Sequence, residues 1–396
     1  MTTRYQEPAG QETAGHLTQI VPSSAYEVFM EEQNLPIHHG IGVHDIRELP
    51  LAPWERMGGQ GTFIELDGQA GLYGQYVVEV PAGGVLNAER HLYEEVFTVF
   101  EGRGSTEIWR EGSSKKQTFE WQPGSHFAVP LNTWHRLVNA TSSPALVLVA
   151  TSAPPVMGLF QSRSFIFDNP VEFKDRYDES DDYFKPRDEL ESEPESGRAM
   201  LRSSVLPDIV NCYLPLDNRR GPGYRWISPR MANNTFFTGF LSEYPSGRYS
   251  TAHYHPPGAV LVCVRGKGYT YNWPVEIGPR PWEAGKGDQV KRFDYVAGGM
   301  VAAAPDPHGG SNWFHQHFNI SKDFIRVRVM GAMRRRGQAG EEVAGVGLPI
   351  DQGGYQLPYR LEDPMIRKTY KEALEKEGAE IDMPEELYKG GFAGHL

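Results

Sequence analysis

The chain carries one glycine-and-histidine frame twice, and this repeat constrains its fold more than any other feature. In the earlier copy Gly83 is followed after five residues by Glu89-Arg-His91, with Glu95 and then Gly102 beyond. In the later copy Gly247 is followed after five residues by His253-Tyr-His255, and Gly266 closes the stretch. Each copy then offers a histidine with an asparagine four residues on, His135 with Asn139 and His315 with Asn319. With 396 residues, the chain has room for two or three domains of ordinary size.

Around these fixed points the pattern is that of strands. The first block holds Thr62-Phe-Ile-Glu-Leu66, Gly74 to Val80, Val96 to Phe100, Ser105 to Trp109 and Leu146 to Ala150. The second holds Thr235 to Phe240, Ala259 to Val264, Tyr269 to Tyr271 and Phe324 to Val329. Turn signals such as Pro81-Ala-Gly-Gly84 and Pro123-Gly124 separate them. The expectation is an all-β-dominated chain of two antiparallel sandwiches or barrels with short flanking helices. The divisions expected are an arm with a short helix over 1–60, a first barrel over 61–165 and a connecting segment over 166–230. A second barrel over 231–335 and a C-terminal extension over 336–396 complete the chain. Ser23 and Ser24 cap a helix over Ala25 to Gln33, and Pro364 opens another whose Ile366, Tyr370 and Leu374 share a face. The acidic stretch Lys174 to Ser196 reads as an exposed linker.

Net charge is −12, which argues against nucleic acid and anionic membranes as partners. Apolar runs are too short to span a bilayer, and the first fifteen residues lack the apolar core of a signal peptide, so the cytoplasm is the expected location. Cys212 and Cys263 allow one disulfide at most. The terminal extensions and sheet edges suggest a homo-oligomer.

Side chains at i and i+2 of a strand face one way, so His253 and His255 point together, as do Glu89 and His91. A third ligand from a later strand closes each set. The main candidate metal set is therefore His253, His255 and His315, and a second is Glu89, His91, Glu95 and His135. The latter, with two imidazoles and two carboxylates, suits Fe2+, Mn2+ or Zn2+; the alternative is a decayed site that only supports its partner. His317 shares a face with His315 and is a candidate ligand, a donor supporting one, or a substrate contact; His308 reads as a loop residue.

These motifs resemble those of the cupin superfamily, in its two-domain bicupin form. The first block matches both cupin motifs with Glu89 in place of the first histidine and Asn132 in place of a glycine. The second matches with Ala259 where the glutamate belongs, and with Gly310 and Asn312 replacing a proline and a glycine. The resemblance implies jelly-roll barrels. It extends to gentisate-type ring-cleaving dioxygenases, with the departure that the three-histidine set here lies in the C-terminal barrel. That implies a mononuclear non-haem Fe2+ site binding O2 and a small chelating, aromatic hydroxy-acid substrate. Under it, Tyr254, Tyr269, Tyr271, Trp273 and Trp313 are pocket candidates, with Arg248, Arg265 and Arg326 as carboxylate partners. The alternatives are a Mn2+ or Zn2+ cupin decarboxylase or isomerase, and a non-catalytic bicupin that binds a small molecule.

Overall fold

Ser24 begins the first regular element. Its hydroxyl accepts from the Glu27 N–H at 3.1 Å while the Glu27 carboxylate accepts from the Ser24 N–H at 2.6 Å, a reciprocal cap on helix α1 (Ala25–Glu32). The computed structural model describes residues 22–69, 71–194, 196–234, 239–255, 258–306, 312–331 and 347–389. The N-terminal arm before 22, His308, Gly310, most of the strand expected at Thr235 to Phe240 and the Gly-rich stretch 332–346 lie outside the described residues.

Eleven strands follow α1. They are β1 (Ile37–Gly40), β2 (Gly42–Val43), β3 (Ala52–Trp54), β4 (Gly59–Leu66), β5 (Gly74–Val80) and β6 (Glu95–Glu101). Next come β7 (Gly104–Trp109), β8 (Lys116–Trp121), β9 (His126–Val129), β10 (Trp134–Val138) and β11 (Ala145–Thr151). Helices α2 (Ala153–Phe160) and α3 (Arg163–Phe167) lead to β12 (Leu190–Ser192), β13 (Ala199–Arg202) and β14 (Val205–Leu206). The second half holds β15 (Arg225–Arg230), β16 (Phe240–Tyr244), β17 (Ala252–His255), β18 (Val260–Arg265) and β19 (Lys267–Pro274). It continues with β20 (Lys291–Val296), β21 (Met300–Ala302), β22 (Trp313–Asn319), β23 (Ile325–Met330), β24 (Gln356–Leu357) and helix α4 (Pro364–Glu377).

The halves share one topology. In the first, the order β4-β5-β11-β6-β9 faces β10-β7-β8; in the second, β15-β16-β23-β18-β21 faces β20-β19-β22-β17-β24. The modules also exchange edges. β14, from the connecting segment, pairs with β9 of the first module, and β2, from the N-terminal region, pairs with β21 of the second. Each exchange covers backbone groups an edge strand would expose.

Alternation along the central strands builds three cores. Val147 and Val149 of β11 join Phe97 and Phe127 inside the first sandwich, while Leu261 and Cys263 of β18 join Trp226 and Val327 inside the second. The opposite faces, Leu146, Leu148 and Ala150 against Val260, Val262 and Met330, seal the two modules together. Both thiols are free. Among the described residues no helix is long and apolar enough to cross a membrane.

The acidic segment does not run free as a linker. Tyr177 and Phe184 bury in the first core, Glu179 pairs with Arg110, and Asp181 pairs with Lys115 at 2.6 Å. Its aromatic residues supply the apolar area that its lack of aliphatics hides.

Helix α4 covers the outer face of the five-stranded sheet. Ile366, Tyr370 and Leu374 pack on Tyr249, Tyr269 and Phe318, each large apolar side chain stabilising by about 1.5–3 kcal/mol. Beneath it Glu362 accepts from the Tyr249 hydroxyl at 2.5 Å and from Gln316 Nε2 at 3.1 Å. Burial nevertheless raises its carboxyl to about 8. Between about pH 4.5 and 8 the folded chain thus holds a proton that the unfolded chain has released, so this contribution is full in acid and lost as pH rises. Thermal unfolding followed by circular dichroism should give a melting temperature that falls over that window, and Glu362→Gln should flatten the slope. An equal slope in the variant would contradict the assignment.

Candidate metal centres

In the first module the candidate ligands come from a strand start, a strand interior and the loop between β5 and β6. Glu89 and His135 exchange both backbone hydrogen bonds at 3.0 Å, which brings the loop against β10. Glu95 opens β6 and faces the same interior. Glu89, His91, Glu95 and His135 each offer a ligand atom within 4.8 Å of the others.

Backbone carbonyls fix both imidazoles. His91 Nδ1 lies 2.9 Å from the Tyr93 carbonyl and His135 Nδ1 3.1 Å from that of Thr133. A carbonyl only accepts, so each Nδ1 carries the proton and each Nε2 turns a lone pair inward. His91 Nε2 is 3.2 Å from Glu95 Oε2, and His135 Nε2 is 3.7 Å from both Glu95 Oε2 and Glu89 Oε1. The buried atoms His91 Nε2, Glu95 Oε2 and His135 Nε2 have no hydrogen-bond partner. Three converging lone pairs, left unsatisfied, fit a divalent cation, whose ligand atoms sit about 3 Å apart around bonds of about 2.1 Å. The other carboxylate oxygens are held, Glu95 Oε1 by the Tyr76 hydroxyl at 2.8 Å and Glu89 Oε2 by Arg56 Nη2 at 2.9 Å. Burial alone would raise Glu95, but positive charge at its two imidazole neighbours, carried by protons when no ion is bound, outweighs burial and lowers the carboxyl. A small cavity of about 10 Å3, the room of roughly one water molecule, adjoins the set, walled by Tyr26, Phe29, Trp54, Phe63 and Tyr93 with Arg56 among them.

In the second module β17 replaces that loop. His253 pairs in register with His315 on β22, and His255 follows two residues on. His253, His255 and His315 form the second group within 4.8 Å, with no carboxylate in it. His253 Nδ1 faces the Thr251 carbonyl at 3.4 Å and His315 Nδ1 that of Trp313 at 3.2 Å, which leaves the two Nε2 atoms 3.0 Å apart. Two lone pairs at that distance repel unless a cation lies between them. Burial, then Arg220 for His253 and His255 for His315, holds both rings well below the ordinary imidazole range, so they are neutral and free to ligate. His317 lies outside the group and meets Thr270 Oγ1 at 3.0 Å instead.

The other sequence candidates divide by strand face. Trp313 shares the inner face of β22 with His315. Tyr254, Tyr269, Tyr271 and Trp273 alternate with inward residues and so point outward: Tyr254 packs on Phe314, Tyr269 stacks on Phe318 at 4.4 Å and Trp273 on Phe314 at 5.3 Å. Tyr271 sits against Trp282. The arginines are committed elsewhere, Arg248 to Asp382, Arg265 to Asp323 and Arg326 to the buried Glu243. Sequence reasoning missed Arg56, Tyr76, Arg220 and Asn272. Only Asn272 left a trace, since the repeat aligns it with Ile108.

A family model described as Cupin domain matches residues 76–151, which span β5 to β11 and include His91, Glu95 and His135. No curated protein sequence matches the chain. Among solved structures, the Lactobacillus farciminis oxalate decarboxylase formate complex is 11% identical, covering 74% of this chain and 86% of its own, with a TM-score of 0.44. A Bacillus subtilis oxalate decarboxylase studied for its Mn(II) centres is 10% identical, covering 90% and 87%, with a TM-score of 0.47. Likeness at this level transfers neither substrate nor metal. Two jelly-roll modules, the first matching a cupin domain and the second repeating its strand order, describe the chain.

The two groups should load independently. Metal analysis of purified protein is expected to find two ions per chain, falling to one in His91→Ala and to one in His255→Ala with the fold retained. Unchanged metal content in either variant would contradict that group.

Proposed function

We propose that the chain is a metal-dependent enzyme that acts on a small chelating carboxylate without net oxidation, as a decarboxylase or isomerase, with its working Mn2+ or Zn2+ in the first module. The observation that carries this reading is the fully built set of Glu89, His91, Glu95 and His135 with its three unsatisfied ligand atoms. Its two carboxylates are hard, anionic donors, which suit Mn2+ in particular. Glu89, His91, Glu95 and His135 would hold the ion through four donors, two of them anionic, which would favour acid–base over oxygen chemistry on a chelating substrate. When bound, the ion supplies Lewis acidity toward the substrate carboxylate.

The residues around the set have separable tasks. Tyr76 holds Glu95 in place and Arg56 holds Glu89. Arg56 also lines the cavity, where its guanidinium is placed to meet an anionic group. The aromatic wall of Tyr26, Phe29, Trp54 and Phe63 excludes water from the same space.

A second reading, an Fe2+ dioxygenase working in the second module, is favoured by the 3.0 Å approach of His253 Nε2 to His315 Nε2. His253, His255 and His315 would hold the ion through neutral donors alone, which would leave it more acidic toward a chelating substrate and O2.

One assay separates the two. A panel of small aliphatic and aromatic hydroxy-acids and dicarboxylates is to be followed for CO2 release, isomerised product and O2 uptake. The expected result is turnover without stoichiometric O2 uptake, lost by at least a hundredfold in Glu95→Gln (about 2.7 kcal/mol of transition-state stabilisation). Stoichiometric O2 uptake that survives Glu95→Gln and is lost in His315→Ala would replace the first reading with the second.

A further inference from the structure

A row of four residues crosses one wall of the first module on four neighbouring strands: Glu65 on β4, Gly74 on β5, Thr151 on β11 and Glu95 on β6. Gly74 pairs with Thr151 and Thr151 with Glu95, and one step beyond the pair of Ile64 with Gln75 sets Gly74 opposite Glu65. Each lies two residues from a core side chain, Phe63, Tyr76, Val149 or Phe97, so all four positions face the interior.

Gly74 leaves a gap in this row, and a phenol fills it. A Cβ on Gly74 would lie 2.3 Å from the Tyr26 hydroxyl oxygen, so Tyr26 reaches from α1 into the place a side chain would take. Opposed positions on antiparallel strands hold their side chains about 5 Å apart, which sets this hydroxyl between Glu65 and Thr151. Tyr26 Oη and Glu65 Oε1 are both buried, and among the described residues neither has a hydrogen-bond partner. Buried polar atoms are nearly always satisfied, so two neighbouring exceptions call for a function. Tyr26, Thr151 and Glu95 also border one small cavity, with room for a single ordered water, so protons can cross where bulk solvent cannot.

The other end of the row reaches solvent, since Glu65 is only half-buried. Burial first, and Glu27 second, push its carboxyl up to about 7. The groups that face it are Glu27 and Tyr26 from α1, Tyr73 ahead of β5 and His39, its register partner on β1. None of these carries a fixed positive charge to strip the proton from it. A carboxyl in this state can both hold and release a proton near neutral pH, as proton transfer requires.

We propose that Glu65 and Tyr26 form a proton relay from solvent to the first chamber, ending at the water-sized cavity beside Glu95. The relay rests on the non-oxidative reading of that chamber and adds the source of its proton. In a decarboxylation the bond to the carboxylate breaks, CO2 leaves and the bonding pair stays on the substrate carbon. That carbon takes a proton from the ordered water, the water takes one from Tyr26, and Tyr26 takes that of Glu65. Glu65 recovers its own from solvent, so one solvent proton is consumed for each CO2 released.

Infrared difference spectra of the full chain, recorded against pH without substrate, read the relay apart from any reaction. The wild type should show a carboxylic-acid band that titrates near pH 7, absent in Glu65→Gln and shifted in Tyr26→Phe, which lacks the neighbouring hydroxyl. In the turnover assay, the wild-type kcat should fall as pH rises through about 7. Glu65→Gln should lower kcat by about a hundredfold and flatten that pH dependence, with KM and metal content unchanged. Tyr26→Phe should do the same, and Glu65→Asp should restore part of the rate. A purely structural Glu65 would leave the shape of the profile as it was. A missing band near pH 7, or a wild-type profile kept by Glu65→Gln, overturns the relay and leaves the reaction standing. A wild type without any non-oxidative turnover overturns both together.

Discussion

The structure depends on central strands that are buried on both faces. In β11 and β18 every second residue fills a module's own interior, and the residues between them fill the seam with the other module. Separating the modules would expose Leu146, Leu148, Val260 and Val262 together, a patch no isolated domain of this size tolerates. The exchanged strands β2 and β14 reinforce the same dependence through backbone bonds. With these sheets fixed back to back, the opposite sheets and the adjoining loop and strand can hold ligands in settled positions.

An aliphatic seam alone is indifferent to small slips in register. One polar contact inside it is not. Arg328 on β23 donates through Nε to His126 Nε2 on β9 at 3.0 Å, and His126 Nδ1 in turn meets the Thr98 hydroxyl at 2.9 Å. Burial, with the neighbouring guanidinium second, keeps His126 well below the ordinary imidazole range, so it accepts as a neutral ring. Such a bond is directional, and any displacement of the modules would break it and leave the buried guanidinium with its bond to the Val329 carbonyl of its own strand. Since β6 carries both Thr98 and Glu95, the contact that sets the seam also sits on the strand that supplies a candidate metal ligand.

How much of this was legible follows from what each signal encodes. The two-residue period placed His253 with His255 and Glu89 with His91, and the repeat paired each with a later histidine. In the structure those residues come within 4.8 Å of one another in two groups, and Glu95, which the motif rather than the period supplied, joins the first. The period could not say which face of β19 looks inward. Tyr269, Tyr271 and Trp273 read as pocket residues, but the register Asn272 to His315 puts Asn272 inside and the aromatics under α4. Arginines were unreadable for a related reason, because a long side chain's partner is set by tertiary contacts. Arg326 finds Glu243 from an adjacent strand, while Arg56 finds Glu89 from a distant loop.

The duplicated frame has kept its geometry and changed its chemistry. At matched places the first chamber has Ile108 and Leu137 where the second has Asn272 and His317, and it has two carboxylates where the second has His253 and Ala259. An ion in the first group would have its charge cancelled by Glu89 and Glu95 and look onto an aromatic cavity. One in the second would keep its full charge among neutral imidazoles, near Arg220. These environments ask for different partners: the neutralised centre for a substrate guided by shape and one cation, the charged one for a small polar anion. The seam forces the two to be built together, and the pleat lets each interior vary without disturbing it, because the residues that line a chamber are never those that hold the modules to each other.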